Sequence, residues 1–234
     1  SIPQPLGAAA YARIGTTFYV QGGGNYADNL QPSFWALDLS TSWTTQQPAW
    51  RSLASGPTNA YHTAGYSADG TQFITLGRDT AAPANVVPAN WLNIYNIRSN
   101  SWTSSNPSGL AVNSRRDFSG ATDVGRNKIY VVGGGSGNDG GTSNNVFNTY
   151  DIATGTLTEI TTPSNGPQNP SSYSAVWIPR MASMLVIGGM TGGTYPSSIF
   201  VYNALDGQWS SQASSDRVPL SVLARSPIGS LYPC

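Results

Sequence analysis

Charged residues are scarce in this sequence, and two of the four common types are almost missing. Only 9% of the 234 residues are Asp, Glu, Lys or Arg, and the formal net charge is zero. Lys128 is the single lysine and Glu159 the single glutamate, so nearly all charge comes from arginine and aspartate. A nucleic-acid surface needs a basic stripe, and a polybasic membrane contact needs clustered cations. The composition therefore argues against both kinds of partner.

Cysteine, histidine and long apolar runs are equally scarce. Cys234 is the only cysteine, which excludes an internal disulfide and hence a disulfide-stapled scaffold. His62 is the only histidine, so the four Cys or His ligands of a structural zinc site cannot be assembled. No apolar run approaches the roughly 18–20 residues that a membrane-spanning helix needs. No Asn-x-Ser/Thr sequon occurs, so N-glycosylation is not expected.

The sequence does contain a repeated unit. Four apolar segments end in glycine, three of them in a Gly-Gly pair, at Gly22-Gly23, Gly77, Gly133-Gly134 and Gly188-Gly189. Gly23, Gly77, Gly134 and Gly189 lie 54, 57 and 55 residues apart. A fixed period of this size, with strand and turn signals in each unit, indicates a propeller or solenoid array. Four strands per unit fit a propeller blade.

Two further positions recur after each glycine. The first is an aromatic or Leu residue followed by Asp or Asn: Leu37-Asp38, Tyr95-Asn96, Tyr150-Asp151 and Tyr202-Asn203. The second lies six or seven residues further on: Trp43, Trp102, Leu157 and Trp209. Helical periodicity with caps is absent throughout, so the sequence predicts an all-β chain.

These positions resemble the kelch repeat, in which Gly-Gly after an apolar strand is followed by Tyr and then Trp. The resemblance implies a single kelch-type β-propeller over residues 1–234, with four recognisable four-stranded blades and the start of a fifth. The units are expected at about 7–55, 60–108, 116–162 and 172–213, with a partial unit at 217–234. It also implies that Trp43, Trp102 and Trp209 pack between blades. Leu37, Leu157 and Leu76-Gly77 depart from the pattern.

The end of the sequence leaves the closure of the propeller open. Residues 220–225 read as the first strand of a fifth unit, and residues 229–232 as the start of its second strand. Kelch propellers usually have five to seven blades. One interpretation is a fragment, or a propeller completed by another chain through exposed strand edges. The other is a compact closure of the single chain.

The sequence contains too few histidines and cysteines for the catalytic sites that its fold would suggest. The copper-radical site of galactose oxidase, which shares the kelch fold, needs two histidines and a cysteine cross-linked to tyrosine. A Ser-His-Asp triad could use only His62 as its base, and a hydrogen-bonded histidine at a strand end is the favoured alternative. The sequence therefore predicts no catalytic residue, no metal and no cofactor.

Three short motifs resemble known sites only in part. Residues 133–137 are glycine-rich like a phosphate-binding loop, but no helix and no Lys-Ser/Thr follow. Residues 67–71 begin like a sialidase Asp box without its tryptophan, so a hairpin turn is the better interpretation. Asp139 with Asn138, Asn144 and Asn145 could offer oxygens to calcium, but a single carboxylate favours a solvated loop.

Function is expected to lie in the polar loops between second and third strands, because loops on a rigid scaffold commonly carry binding. These loops span residues 24–33, 78–90, 135–145 and 190–197. The candidate binding residues on them are Tyr26, Asp28, Arg78, Asp79, Asn138, Asp139 and Tyr195. The sequence thus predicts a non-enzymatic binding or structural module that acts on a protein partner or self-associates.

A carbohydrate-binding protein, either a lectin or a degenerate oxidase, is the alternative. It predicts Trp35 or Trp91 exposed beside Asn or Asp, whereas a scaffold predicts both buried. The surface, rich in Ser, Thr, Asn, Gln and Gly, resembles that of secreted or wall-associated fungal proteins. We therefore expect an extracellular or cell-surface location, with a cytoplasmic one as the alternative.

Overall fold

The chain is a β protein throughout the part that the structure describes. The computed structural model describes residues 3–24, 30–44, 46–77, 90–106, 117–136, 142–143, 145–191 and 194–213. Apart from one 3₁₀ turn at Pro179–Met181, the regular structure there consists of antiparallel strands. The chain divides into two compact units, Ser1–Arg116 and Asp117–Cys234.

The first unit contains two four-stranded sheets, which we call the first and second blades. The first blade has the order β1-β2-β3-β4 and the second has the order β5-β6-β7-β8. Their strands are β1 (Ala10–Ile14), β2 (Thr17–Gln21), β3 (Phe34–Asp38), β4 (Trp50–Ser52), β5 (Thr63–Tyr66), β6 (Gln72–Leu76), β7 (Leu92–Asn96) and β8 (Ser101–Ser105).

The second unit contains the third and fourth blades and two short strand pairs. The main strands are β9 (Gly120–Asp123), β10 (Lys128–Val132), β13 (Val146–Asp151), β14 (Thr156–Thr161), β16 (Ser174–Ile178), β17 (Ser183–Ile187), β19 (Ser198–Asn203) and β20 (Gln208–Ala213). The third blade has the order β9-β10-β13-β14 and the fourth has the order β16-β17-β19-β20. The short pairs join β11 (Gly135–Ser136) to β12 (Thr142–Ser143) and β15 (Pro170–Ser171) to β18 (Met190–Thr191).

The prediction of an all-β fold with four four-stranded blades is confirmed. Each of the four-stranded sheets lies within the bounds of one expected repeat unit. The predicted start of a fifth unit lies outside the described residues.

The Asp or Asn of the second repeat signature forms the turn after the third strand of every blade. Its side-chain Oδ1 accepts a backbone N–H two or three residues on, at 2.8 Å from Ser40 to Asp38 and 2.9 Å from Ser99 to Asn96. Asp151 and Asn203 do the same in the second unit. Asx turns of this kind explain why the position requires Asp or Asn. We call this end of each sheet the turn end, and the opposite end, where the glycine pairs lie, the loop end.

Aromatic side chains fill the space between the two blades of the first unit. Phe34 of the first blade lies 5.0 Å from the ring of Phe73, 4.7 Å from Tyr95 and 5.0 Å from Trp102, all on the second blade. The indole of Trp102 also donates to the backbone oxygen of Ala54 at 3.0 Å. Aromatic pairs add about 0.5–1.5 kcal/mol each beyond simple burial, so this cluster holds the two blades together.

The second unit repeats this arrangement with its own aromatic residues. Phe147 of the third blade lies 4.6 Å from Tyr202 and 5.6 Å from Trp209 of the fourth blade. Tyr130 stacks on Trp177 at 5.4 Å. Trp209 is 3% exposed. Trp102 and Trp209 therefore occupy equivalent places between blades.

The prediction that Trp43 packs between blades is wrong, because this side chain is 43% exposed. Strand register identifies the equivalent residue. Trp102 pairs with Tyr95 and Trp209 pairs with Tyr202, whereas Leu37 of the first blade pairs with Trp50. The connection between β3 and β4 spans residues 39–49 and is longer than in the other blades, so the spacing of six residues selected the wrong tryptophan.

Replacing the two tryptophans separately tests this reassignment. We expect Trp50→Ala to lower the free energy of unfolding by about 2 kcal/mol, because Trp50 is half-buried on the sheet, where it pairs with Leu37. Trp43→Ala serves as the matched control and is expected to change it by less than about 0.5 kcal/mol, as exposed substitutions usually do. Urea unfolding followed by fluorescence measures both, and a larger loss for Trp43→Ala would contradict the register.

Candidate functional site

Of the binding residues predicted from the sequence, only Tyr195 lies within the described ranges. The candidates that lie outside the described residues are Tyr26, Asp28, Arg78, Asp79, Asn138 and Asp139. Asn144, which was named for a possible calcium site, also lies outside them. Tyr195 is described, between β18 and β19 at the loop end of the fourth blade, and it is 60% exposed. The described residues at the loop end are mainly those that form the base of the loops.

The glycine pairs fix the start of the loops that they precede. Both members have positive φ in each pair, for example 68° and 93° at Gly22 and Gly23. The second glycine donates its N–H to a carbonyl in the connection to the next blade, at 2.8 Å from Gly23 to Asn59 and from Gly134 to Pro170. Two successive left-handed residues are energetically acceptable mainly for glycine. The pairs thus act in the scaffold and hold the base of each loop.

A residue with positive φ also stands at the entry of each blade. These residues are Ala8, Tyr61, Asp117 and Ser172, with φ between 51° and 58°. Within each unit the later one donates its N–H to the earlier one's carbonyl, at 2.9 Å from Tyr61 to Ala8 and 2.7 Å from Ser172 to Asp117. This contact is not visible in the sequence, because it uses only backbone atoms and so requires no particular residue type.

A buried polar cluster lies directly beneath the loop end of the first unit. His62, next to the entry residue, places Nε2 2.6 Å from Oε1 of Gln21. The amide nitrogen of Gln21 donates to the carbonyl of Pro57 at 2.7 Å, so its oxygen remains free to accept. We therefore assign the Nε2–H tautomer to His62. Asn59 completes the cluster by donating to the carbonyl of Gly77 at 2.9 Å.

The electrostatics of this cluster keep the histidine neutral. Burial lowers the pKa of His62 to about 3, with a smaller opposing effect from the backbone of Ala60. Gln21 is fully buried and His62 is 5% exposed. A general base must reach the proton that it abstracts. His62 is enclosed and neutral, which favours the interpretation as a hydrogen-bonded histidine at a strand end.

The second unit supports this structural interpretation. Tyr173 occupies the place of His62, one residue after the entry residue Ser172 and one before the first strand of the fourth blade. Its hydroxyl donates to the carbonyl of Ser119 at 2.9 Å and accepts the N–H of Val132 at 3.2 Å. The same position therefore joins neighbouring blades in both units with different side chains.

The remaining sequence motifs also have structural explanations where they are described. Asp69 forms the predicted hairpin turn, accepting from the Ser67 hydroxyl at 2.5 Å and from the N–H of Thr71 at 3.0 Å. The hydrogen bond from Ser67, followed by those from Thr71, lowers the pKa of Asp69. The hairpin interpretation of this segment is confirmed.

The described ranges contain neither a metal-ligand cluster nor a membrane-spanning helix. Within them, no group of three or more His, Cys, Asp or Glu side chains converges as a metal site would require. A helix long and apolar enough to cross a bilayer is likewise not found among the described residues.

The two tryptophans that would distinguish sugar binding from a scaffold differ in exposure. Trp91 is 1% exposed, and its backbone N–H donates to Oδ1 of Asn106 at 2.8 Å. Trp35 is half-buried on β3. A sugar ring stacks on an accessible aromatic face. Trp91 offers no such face.

Comparison with known proteins supports the fold class. Residues 183–215 match the family model of the kelch motif, a range that covers β17, β19 and β20 of the fourth blade. A search of curated proteins returned no match. Together with the four four-stranded blades and the glycine pairs, this match defines an all-β protein built of kelch-type propeller blades.

Proposed function

We propose that this protein is a non-catalytic binding module that docks a protein partner at the loop end of its blades. The observation that carries the proposal is the rigid base under the loops. Glycine pairs, entry residues and buried side chains are hydrogen-bonded to the neighbouring blade there, for example from Gly23 to Asn59 and from Tyr173 to Ser119. Loops on such a scaffold can present side chains without a large ordering cost on binding.

Each unit has an exposed tyrosine at the loop end of its own blades, which supports a protein as the partner. Tyr195 is 60% exposed and Tyr61 is 43% exposed. Tyrosine supplies a large contact area with few rotatable bonds and is enriched among residues that dominate binding energy. The scarcity of charge suits a partner that is recognised by shape and neutral hydrogen bonds. The Ser-, Thr- and Asn-rich surface of this protein supports an extracellular or cell-surface location, which is part of the same proposal.

Site-specific photo-cross-linking tests the proposed surface. A benzoylphenylalanine residue is incorporated at position 195, or at position 205 as the control, and the protein is irradiated in extract from its natural source. Leu205 is 71% exposed at the turn end of the same blade, so exposure alone would favour the control. We expect a discrete cross-linked protein from position 195 and none from position 205.

A substitution adds a quantitative measurement. Tyr195→Ser is expected to weaken binding of the captured partner at least about fivefold, since a central interface tyrosine contributes more than 1 kcal/mol. Leu205→Ser is expected to leave binding unchanged. Cross-linking from position 205 alone would place the interface at the turn end. Glycan binding without protein capture would favour the carbohydrate alternative, for which Trp35 is then the residue to substitute.

A further inference from the structure

The connection between the third and fourth blades contains the sequence Asn165-Gly166, which is the only Asn-Gly pair in the chain. The pair lies in a β-turn that begins at Pro163, where the N–H of Gly166 donates to the carbonyl of Pro163 at 2.9 Å. Asn165 is exposed, whereas Gly166 is buried. The turn therefore presents the Asn165 side chain to solvent next to a residue that has no side chain.

The packing around the pair has a use for both residues. A Cβ at Gly166 would lie 2.6 Å from Cγ2 of Thr162 and 3.1 Å from Cγ of Trp209, so a larger residue would displace these side chains. The side-chain amide of Asn165 donates through Nδ2 to the backbone carbonyl of Trp209 at 2.6 Å. Because Trp209 lies on β20, this hydrogen bond joins the connection to the last strand of the fourth blade.

An Asn-Gly pair can convert its own side chain without a catalyst. The backbone nitrogen of Gly166 attacks Cγ of Asn165, and the new C–N bond replaces the bond from Cγ to Nδ2. Nδ2 leaves as ammonia together with the proton of the Gly166 N–H, which gives a cyclic succinimide. Solvent water then opens the ring, at Cγ to give aspartate or at the backbone carbonyl to give isoaspartate. Glycine favours the attack because no Cβ shields its nitrogen.

We propose that Asn165 is a deamidation site and that its conversion weakens the join between the third and fourth blades. A carboxylate cannot donate a hydrogen bond, so an acceptor would replace the donor that faces the carbonyl of Trp209. The two oxygens repel each other at the place where the amide now makes a hydrogen bond of 2.6 Å. This inference is independent of the proposed binding function.

The hydrogen bonds of the turn restrain this reaction. The attacking nitrogen donates to Pro163, and the leaving group donates to Trp209. Gln168 braces the same turn, because its Nε2 donates to the carbonyl of Pro163 at 2.8 Å and to that of Gly166 at 3.0 Å. The turn must open locally before the attack, so the folded chain is expected to react more slowly than the unfolded chain.

Peptide mapping by mass spectrometry at mildly alkaline pH tests the site in the full chain. We expect the amide of Asn165 to be lost from the folded protein about tenfold more slowly than from the same chain in urea. Gln168→Ala removes the brace without changing the reacting pair, and it is expected to accelerate the loss in the folded protein about threefold. Equal rates for the parent and Gln168→Ala, or an amide kept about a hundred times longer than in urea, would overturn the proposal.

A second measurement tests the effect of the conversion on the join. Asn165→Asp supplies the carboxylate directly, and Ser164→Asp, at the preceding exposed residue, is the matched control with the same charge. We expect Asn165→Asp to raise the unfolding equilibrium constant in urea titrations about tenfold, because it leaves two acceptors facing each other. Ser164→Asp is expected to change this constant by less than about twofold. Equal effects of the two substitutions would overturn the proposed weakening of the join.

Discussion

Replacing Gly22 with alanine is expected to lower the free energy of unfolding by about 3–4 kcal/mol, whereas the same change at Gly155 costs about 1 kcal/mol. The two glycines have the same φ of 68°. Alanine in this left-handed conformation is strained at either site, so the difference between the two variants measures only the surroundings of the new methyl group.

Those surroundings differ sharply. A Cβ at Gly22 would lie 2.5 Å from the carbonyl oxygen of Asn59 and 3.0 Å from Cε1 of His62, whereas a Cβ at Gly155 meets nothing within 4 Å. The Asn59 carbonyl cannot simply move away, because it accepts the N–H of Gly23 at 2.8 Å. Relieving the clash therefore breaks the contact between the first blade and the connection to the second.

Urea unfolding of the two variants beside the parent protein gives both values. A loss at Gly22 no larger than the loss at Gly155 would show that backbone conformation alone explains the glycine. It would also contradict the role given to the Gly-Gly pair, which is to hold the base of the loop in place. Gly207→Ala provides a second control, since Gly207 has a φ of 71° and an added Cβ there would also meet nothing within 4 Å.

The features of the fold that were predictable are those in which chemistry restricts the residue type. Successive left-handed residues require glycine, and an Asx turn requires Asp or Asn, so both signatures are visible in the sequence. Gly133-Gly134 and Asp151 are examples in the third blade. Repetition of both signatures at a fixed period was enough to predict four blades.

Other features could not be predicted because they depend on register or on backbone atoms. Trp43 has the expected spacing, but a longer connection places Trp50 opposite Leu37 instead. The entry residues, among them Ala8 and Asp117, share a conformation and a hydrogen-bond pattern without sharing any side chain. The candidate binding residues share only a polar character and a predicted place on loops, which specify no common geometry. Of these residues, Tyr195 alone lies within the described part of the chain.

His62 makes the stability of the protein depend on pH above the range in which carboxylates titrate. The pKa of His62 is lowered to about 3 by burial in the folded protein, against 6.5 as the ordinary value. Between these values the unfolded chain binds a proton that the folded chain does not, so stability falls as pH falls. At about 1.36 kcal/mol per pH unit, the free energy of unfolding should decrease by about 2.5 kcal/mol from pH 6.5 to pH 4.5.

The sequence makes this dependence unusually easy to assign. His62 is the only histidine, so His62→Gln removes the only histidine titration and leaves every carboxylate in place. Glutamine can still donate to Oε1 of Gln21, which keeps a partner for the Gln21 side chain. We expect the variant to lose stability at pH 7 but to show a much flatter profile between pH 6.5 and 4.5. Denaturant unfolding at four or five pH values measures both profiles.

The comparison also separates the two roles that a buried histidine can have. A histidine that exchanges protons with a ligand needs access and a pKa near the working pH, and its removal would alter the pH dependence of binding. A histidine that joins Gln21 to the second blade affects stability alone. Parallel pH profiles for the parent and His62→Gln would contradict the burial of a neutral imidazole. A steeper profile in the parent alone would establish that His62 acts in the scaffold beneath the loops.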